Sequence, residues 1–275
     1  MDNLRQLQQV ELDILKEVLK IFEKHNITYF ALGGTMLGAV RHQGFIPWDD
    51  DIDIGVPRED YEQLNSIFEE LPKRLKYCSF ELDSTYPYYF ARVEDEQIIV
   101  KSVRAEEEEL TPAWVDIFPL DGMPNNPVLR KLHACRVLYA RMIFQVSRFN
   151  SIVNVKRTNR PMYEKVIIMG VKKLHINKWV SNEKSFQRLD RILKRYSTKK
   201  SQYYLNGMGA YKLREMHEKR VFGNGTYYPF EDIKICGPQD FETYLTQLYG
   251  DWRTPADLTH HKVVEITLDS TEVIG

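Results

Sequence analysis

The sequence has no long apolar run and contains only three cysteines. No stretch approaches the roughly 20 apolar residues that a membrane-spanning helix needs, and Met1 is followed by an amphipathic segment rather than a signal peptide. Cys78, Cys135 and Cys236 are widely separated and form no CxxC pair, which argues against a disulfide framework or a zinc site. We therefore expect a cytoplasmic protein with free thiols.

The composition is ordinary, but the charge is unevenly distributed. The 275 residues are enough for one large domain or for a domain with an added lobe. The net charge of −1 conceals a basic segment, because residues 128–200 contain nineteen lysines and arginines against three acidic residues. This segment is suited to an anionic partner.

The most informative stretch is residues 29–56, which ends in a run of aspartates. In Asp51–Val56 apolar residues alternate with polar ones, a pattern that predicts a half-buried strand with Asp51 and Asp53 on the same face. Two further aspartates precede this strand, and so many carboxylates repel one another unless a cation neutralises them. Oxygen ligands favour Mg²⁺ or Mn²⁺ over zinc, whereas an acidic turn facing solvent is the simpler alternative.

A glycine turn precedes the aspartates. Residues 27–32 are typical of a buried strand, Gly33 and Gly34 of a turn, and residues 35–42 of a short helix. Such an arrangement presents the free backbone N–H groups of a helix N-terminus to an anion. An ordinary tight turn would explain the two glycines equally well if they stood alone.

A third acidic signal lies at Asp116, which is flanked on both sides by apolar residues in Trp114–Phe118. Burial of a carboxylate costs several kcal/mol unless it is paired or binds a metal. We therefore interpret Asp116 as part of the predicted metal site, although a hydrogen bond to a neighbouring backbone N–H is an alternative. Asp121, beyond a proline, is more typical of a turn.

A strand, a glycine turn, a helix and a second strand bearing DxD form the opening of a nucleotidyltransferase-type fold. The run GTMLGAVRHQGFIPWDDDID resembles the signature of the LicD family of phosphotransferases, bacterial enzymes similar to the eukaryotic fukutin-related ribitol-phosphate transferases. The likeness continues at residues 114–121, 221–231 and 244–252. Residues 125–215 resemble the family only in length and general character.

The resemblance implies an α+β fold, namely a nucleotidyltransferase-like (polymerase-beta-type) mixed sheet with helices, plus a basic helical lobe. The run Pro124–Pro127 marks a boundary after which the chain becomes basic and helical. We therefore expect a catalytic core at 1–124, a basic helical insertion at 125–200, and a C-terminal segment at 201–275 that completes the core and the substrate pocket. Within the core, the predicted catalytic and metal-binding residues are Asp51, Asp53 and Asp116.

The activity that the resemblance implies is transfer of a phospho-alcohol, such as phosphocholine from CDP-choline, to a sugar hydroxyl of a cell-surface polysaccharide or teichoic acid precursor. Mg²⁺ or Mn²⁺ would be the cofactor, CMP the second product and a lipid-linked glycan the acceptor. Two alternatives remain open: transfer of glycerol or ribitol phosphate from a CDP-polyol, and a true nucleotidyltransferase that uses an NTP.

The resemblance also assigns substrate-binding residues. The glycine turn and Thr35 would hold the phosphates, and Arg41 and His42 would add positive charge. Arg92 and Lys101 lie on predicted strands from which either could reach the phosphates, although a solvated strand face explains both. Four residues in family-like runs near the C-terminus are expected to line the donor or acceptor pocket: Glu231, Tyr249, Asp251 and Trp252.

A choline donor would require an aromatic cage around its trimethylammonium group. The candidates for such a cage are Tyr86, Tyr88, Tyr89 and Trp114. A polyol donor would require hydrogen-bonding groups instead.

The basic segment suggests contact with the inner face of an anionic membrane. Its predicted helices carry basic residues, including Lys172, Lys173 and Lys178, among apolar ones. A helical lobe packed on its own core is an equally good interpretation. Binding of nucleic acid is not expected, because no recognised reader motif accompanies the charge.

Overall fold

The computed structural model describes residues 3–104, 107–148, 180–255 and 266–270. For residues 102–104, 107–109 and 266–270 it describes the backbone alone. Within these ranges the helices are α1 (Asn3–His25), α2 (Gly33–His42), α3 (Arg58–Tyr61), α4 (Leu64–Ile67), α5 (Pro127–Ser147), α6 (Asn182–Leu193), α7 (Lys219–Phe222) and α8 (Phe241–Tyr249). The strands are β1 (Phe30–Ala31), β2 (Asp53–Pro57), β3 (Leu75–Cys78), β4 (Ala91–Arg104), β5 (Glu107–Gly122), β6 (Tyr203–Asn206), β7 (Met216–Glu218), β8 (Thr226–Phe230), β9 (Ile233–Gly237) and β10 (Ile266–Ser270).

A mixed sheet forms the centre of the molecule, in the order β1-β2-β5-β4-β10. Strand β2 runs parallel to β5, and the other pairs are antiparallel. Strand β3 pairs with β4, and β6 links β5 to β7. The predicted α+β class with a mixed sheet is confirmed.

Helix α1 covers this sheet with an apolar stripe. Its apolar residues recur at helical spacing, as expected for an amphipathic helix, and those that are buried include Leu7, Ile14, Leu15, Val18 and Phe22. A second row, at a spacing of three residues, is polar and consists of Arg5, Gln8 and Glu11. Gln8 and Glu11 are nevertheless buried, so this row faces protein.

Several predicted elements differ from the observed ones. The sequence predicts two strands, at residues 88–94 and 97–103, but β4 is continuous and has an irregularity between Asp95 and Ile99. There the buried Asp95 carboxylate pairs with Arg74 and accepts a hydrogen bond from the backbone N–H of Gln97, which allows the strand to continue without a turn. The sequence predicts a strand around residues 220–222, but these residues lie in helix α7. It also predicts one helix from Pro57 to about Leu71, which is broken into short segments.

Helices α5 and α6 pack on a second apolar cluster. Asn126 caps α5 by accepting hydrogen bonds from the backbone N–H groups of Val128 and Leu129. Phe144 of α5 and Phe186 of α6 lie in this cluster together with residues of the loop before β4. Within its described residues, 125–148 and 180–200, the basic helical segment therefore packs on an apolar core of its own.

No helix within the described residues is both long and apolar enough to cross a bilayer.

A buried ion pair joins α3 to β5. The Arg58 guanidinium donates to both carboxylate oxygens of Asp121, at 2.7 and 3.0 Å, and also to the hydroxyl of Tyr89. Asp121 is only 1% exposed, so its charge is stabilised by Arg58 rather than by water. The interpretation of Asp121 as a turn residue is wrong, because it lies within β5.

We predict that Asp121→Asn destabilises the protein by about 3 kcal/mol or more, because it leaves the buried Arg58 charge without a counter-charge. Urea unfolding followed by circular dichroism measures the effect. Asp13→Asn, which removes an exposed carboxylate beside Lys16, is the matched control and should change the free energy of unfolding by less than about 0.5 kcal/mol. Equal effects for the two variants would contradict the prediction.

Candidate active site

The parallel pairing of β2 with β5 brings the predicted catalytic carboxylates together. Asp53 and Asp116 are direct partners in the register of the two strands. Asp51, Asp53 and Asp116 each offer a carboxylate oxygen, and these oxygens lie within 4.8 Å of one another. Asp49, Asp50 and Asp51 form a second such group, so that Asp51 belongs to both.

The glycine turn fixes the backbone of Asp53. The backbone carbonyl of Asp53 accepts a hydrogen bond from the N–H of Leu32 at 3.0 Å. The backbone N–H of Asp53 donates to the Thr35 hydroxyl at 2.8 Å. Thr35 was predicted to bind phosphates through its hydroxyl, but in the structure this hydroxyl accepts the N–H of Asp53. Thr35 therefore positions a candidate ligand.

Gly33 and Gly34 are required by conformation and by space. Gly33 has a φ of +49°, in the left-handed region that favours glycine. A Cβ on Gly34 would lie 2.5 Å from Oδ2 of Asp49, so the carboxylate approaches this backbone directly. Gly34 and Thr35 lie in the first turn of α2, where backbone N–H groups have no partner within the helix and can bind an anion.

Arg92 lies beside Asp116 rather than at an open phosphate site. Its Nε donates to Oδ1 of Asp116 at 2.6 Å, and the side chain is largely buried. Its guanidinium carbon lies 4.1 Å from the ring centroid of Tyr88 and 4.5 Å from that of Trp114. The aromatic cage predicted for choline is therefore wrong, because the guanidinium of Arg92 fills it and the hydroxyl of Tyr89 is bonded to Asp190 and Arg58.

Burial and mutual repulsion raise the pKa values of these carboxyl groups. The pKa of Asp53 lies well above its usual range, first because of burial and then because of the charges of Asp51, Asp116, Asp49 and Glu215. Burial also raises the pKa of Asp116, against the opposing effect of Arg92. A set of clustered carboxylate oxygens fits Mg²⁺ or Mn²⁺ by the chemistry of its donors.

Arg41, His42 and Trp252 form a group at the far end of α2. Arg41 donates to the backbone carbonyl of Trp252 at 3.1 Å and to the ring of His42 at 2.9 Å. His42 in turn contacts Trp48 edge to face. These residues form a group of their own beyond the carboxylates.

Three of the predicted substrate-binding residues lie away from the carboxylate cluster, namely Glu231, Asp251 and Lys101. The Glu231 carboxylate pairs with Arg5 and accepts the N–H of Phe45, so it supports the loop before the aspartates. Asp251 is exposed and accepts a hydrogen bond from Thr254. Lys101 is nine positions beyond Arg92 along β4, about 30 Å at the usual strand rise, and the structure does not bring it to the carboxylates.

Tyr249 lies next to the glycine turn, together with residues that the sequence analysis did not select. A Cβ on Gly33 would lie 3.7 Å from the Tyr249 hydroxyl and 3.5 Å from Oδ2 of Asp53. The ring of Tyr211 meets that of Tyr249 edge to face at 5.2 Å, and Tyr211 is 41% exposed. Oε1 of Glu215 accepts the backbone N–H of Tyr211 at 2.8 Å.

Tyr244 holds the glycine turn, and the charges of the cluster act on Glu11 of α1. The Tyr244 hydroxyl accepts the backbone N–H of Gly33 at 3.0 Å. Glu11 is buried, and burial followed by the charges of Asp51, Asp50, Asp116 and Asp49 raises its pKa well above the usual range. No local pattern distinguishes these residues, because each reaches the site through tertiary packing.

A comparison with protein families identifies the core of this chain. The model described as "LicD/FKTN/FKRP, nucleotidyltransferase domain" matches residues 26–131, which include the glycine turn and all five aspartates of the cluster. The chain therefore contains a LicD-family domain at these residues. The nucleotidyltransferase-like fold expected for the core agrees with the name of this family domain.

Similar proteins extend the family likeness beyond this domain. The chain is 28% identical over 254 residues to the lipopolysaccharide cholinephosphotransferase LicD of Haemophilus influenzae, across 90% of this chain and 91% of that protein. It is 46% identical over 67 residues to an uncharacterized protein of Rickettsia prowazekii, which covers 23% of this chain and 25% of that protein. The human ribitol 5-phosphate transferase FKRP is 44% identical over 43 residues, or 16% of this chain and 9% of FKRP.

We predict that Glu215 makes the metal-free LicD-family protein less stable as the pH rises. Burial raises the pKa of Glu215 from 4.5 to about 7, so the folded state holds a proton that the unfolded state loses between these values. This contribution is present below pH 4.5 and is lost as the pH rises through 7. Between pH 5 and pH 8, Glu215→Gln should gain about 2 kcal/mol relative to the wild type.

Urea unfolding in the presence of a chelator at both pH values measures this difference. Glu218→Gln, an exposed substitution three residues away, is the matched control and should show no such dependence on pH. The prediction is contradicted if the two variants behave alike.

Proposed function

We propose that this protein transfers a phospho-alcohol from a CDP-alcohol donor to a sugar hydroxyl and releases CMP. The observation that carries the proposal is the meeting of Asp51, Asp53 and Asp116 beside the N-terminus of α2. The three carboxylates would hold a divalent cation, and the N-terminus of α2 would bind phosphate oxygens. The relatives named cholinephosphotransferase and ribitol 5-phosphate transferase support the same class of reaction.

Each group of residues at the candidate site would have its own role in this reaction. Asp51, Asp53 and Asp116 would hold Mg²⁺ or Mn²⁺, which neutralises charge on the phosphates and on the departing CMP when it is bound. The N–H groups of Gly34 and Thr35 would bind phosphate oxygens of the donor. The sugar hydroxyl oxygen would form a bond to the donor phosphorus as the bond to the CMP oxygen breaks, and Asp116 would accept the hydroxyl proton.

We propose phosphocholine as the transferred group, with a new location for the site that binds choline. Tyr211 and Tyr249 form an edge-to-face aromatic pair next to Gly33, and the Glu215 carboxylate adjoins Tyr211. An aromatic face with a nearby carboxylate suits a quaternary ammonium group, which cannot donate hydrogen bonds. A polyol phosphate remains the second candidate donor group, because Glu215 could accept hydrogen bonds from hydroxyls.

We predict that the protein binds CDP-choline with Mn²⁺ present and that Asp53→Asn weakens this binding at least about tenfold, because a ligand of the cation is lost. Isothermal titration with CDP-choline, CDP-glycerol, CDP-ribitol and CTP measures donor choice. Release of CMP rather than diphosphate, measured by ion-exchange chromatography, separates phosphotransfer from nucleotidyl transfer. Binding of CTP alone would contradict the proposal.

Tyr211→Ala separates the two donor classes within the same titration. If Tyr211 contacts the trimethylammonium group, its loss should weaken CDP-choline binding about fivefold, which corresponds to about 1 kcal/mol of cation–π attraction. Binding of CDP-glycerol should change less. Tyr227→Ala, an exposed tyrosine on β8, is the control.

We also propose that the acceptor is lipid-linked and that the helical lobe meets an anionic membrane surface from the cytoplasmic side. Five large apolar side chains are exposed on α5, among basic residues: Val128, Leu129, Leu132, Tyr139 and Met142. Apolar side chains among basic ones suit an anionic bilayer interface. Lys172, Lys173 and Lys178, on which the sequence prediction also relied, lie outside the described residues.

We predict that the double substitution of Leu129 and Leu132 by serine reduces binding to vesicles of mixed zwitterionic and anionic lipid by about fivefold or more, because it removes apolar area from the interface. Co-sedimentation measures binding, and raising the salt concentration should reduce it further for the wild type. Tyr227→Ser removes an exposed apolar side chain elsewhere and should have no effect. Vesicle binding that is indifferent to both salt and the serine substitutions would exclude this surface.

A further inference from the structure

The proposed alcohol pocket lies on the loop that joins β6 to β7. Tyr211 and Glu215 belong to this loop, and Tyr249 of α8 meets the ring of Tyr211. Apart from one 3-10 turn at Lys212–Glu215, residues 207–215 form no helix or strand. A loop with so little secondary structure is positioned by the contacts that other elements make with it.

Arg141 of α5 fixes the first residues of this loop. The residue is 8% exposed, and its Nη1 donates to the backbone carbonyls of Gly207 at 3.1 Å and Gly209 at 2.8 Å. Oδ1 of Asn206, at the end of β6, accepts the backbone N–H groups of Met208 and Gly209 at 3.2 and 3.0 Å. Both the carbonyl and the N–H of Gly209 are thus hydrogen-bonded, which fixes the orientation of its backbone.

Gly209 packs against Glu215. A Cβ on Gly209 would collide with the carboxyl group of Glu215, so this group lies directly on the glycine backbone. Oε1 of Glu215 accepts the backbone N–H of Tyr211 at 2.8 Å, and the ring of Tyr211 meets that of Tyr249. A continuous series of contacts therefore leads from Arg141 to the aromatic pair of the proposed pocket.

Arg141 is a buried cation that bonds backbone carbonyls and no carboxylate. Within the described residues it forms no ion pair, and its Nε has no hydrogen-bonding partner. Burial lowers the pKa of Arg141, and the charge of Glu215 opposes that effect. Burying a charge is costly, and an apolar side chain could fill the same space without that cost. Packing alone therefore does not explain an arginine at this position.

We propose that Arg141 is a positioning residue of the donor pocket, which places Tyr211 and Glu215 against the alcohol of the donor by holding Gly209. The proposal rests on the proposed function, because the pocket is the one assigned there to the alcohol, but it applies to choline and to a polyol alike. Arg141 lies outside the family-model match at residues 26–131, as do the residues that it positions. Helix α5 of the helical lobe thus also supports the donor pocket.

Isothermal titration of the purified full-length protein with Mn²⁺ present, using CDP-choline and then CDP, tests the proposal. CDP has the nucleoside and both phosphates but lacks the alcohol. Arg141→Met removes both hydrogen bonds and should weaken CDP-choline binding about fivefold, as loss of the Tyr211 ring should, but CDP binding by less than about twofold. Arg141→Lys keeps the charge on a shorter side chain and should lie between Arg141→Met and the wild type.

A double-mutant cycle separates positioning from a general loss of structure. If Arg141 acts through Tyr211, adding Arg141→Met to Tyr211→Ala should weaken CDP-choline binding by less than about twofold more. Fully additive losses would overturn the proposal, because the two side chains would then act independently.

Arg148→Met is the matched control. Arg148 directly follows α5, is also buried, and donates to the backbone carbonyls of Ser84 and Thr85, which belong to a different loop. Its loss should lower the Tm in thermal unfolding without changing the affinity for CDP-choline relative to CDP. If Arg141→Met does not fold, Arg141→Lys is compared with the control in the same way.

Equal weakening of CDP-choline and CDP binding in the Arg141 variants would overturn the proposal, and so would unchanged affinity for both. The same change of preference in Arg148→Met would overturn it too, since lost stability would then explain the effect. A wild-type protein that binds neither CDP-choline nor CDP-glycerol would overturn the proposed function itself. A wild-type protein that binds one of them, with no change of preference in the variants, would overturn the role of Arg141 alone.

Discussion

Repulsion among clustered carboxylates is the constraint on which the arrangement of this site depends. Asp51, Asp53 and Asp116 meet where β2 runs parallel to β5, and burial makes their charges more costly than they would be in water. The fold offsets this cost in part through Arg92, which pairs with Asp116. Burial, followed by the charges of the neighbouring carboxylates, raises the pKa of Asp53 well above its usual range.

The surrounding structure holds the carboxylates in place against that repulsion. Thr35 accepts the N–H of Asp53, and Asp49 packs directly against the backbone of Gly34, where a side chain would collide with it. The same turn begins α2, so the residues that position the carboxylates also bring the positive end of a helix dipole to them. Cation and phosphate sites therefore arise from one local structure.

Local sequence patterns predicted the centre of the site because Asp53 and Asp116 lie on two regular strands and Asp51 comes just before the first of them. Alternation at Asp51–Val56 and the apolar neighbours of Asp116 were enough to anticipate buried strands bearing carboxylates. The same reasoning failed for Arg92 and the aromatic cage, since which partner fills an aromatic pocket depends on the register of β4 against β5. Glu11, Glu215 and Tyr211 were missed because they approach from sequence-distant elements and follow no short-range pattern.

The catalytic carboxylates and the proposed alcohol pocket come from different parts of the chain. The family domain at 26–131 contains the carboxylates and the glycine turn, which in the proposed reaction would act on the phosphates of the donor. Tyr211, Glu215 and Tyr249 lie outside it, next to the position that the alcohol would occupy. Identity to human FKRP, a ribitol 5-phosphate transferase, is confined to 43 residues. Because the proposed alcohol pocket is formed by residues outside the family domain, substitutions in that pocket could change the alcohol that is bound. The strands that carry the catalytic carboxylates would stay the same.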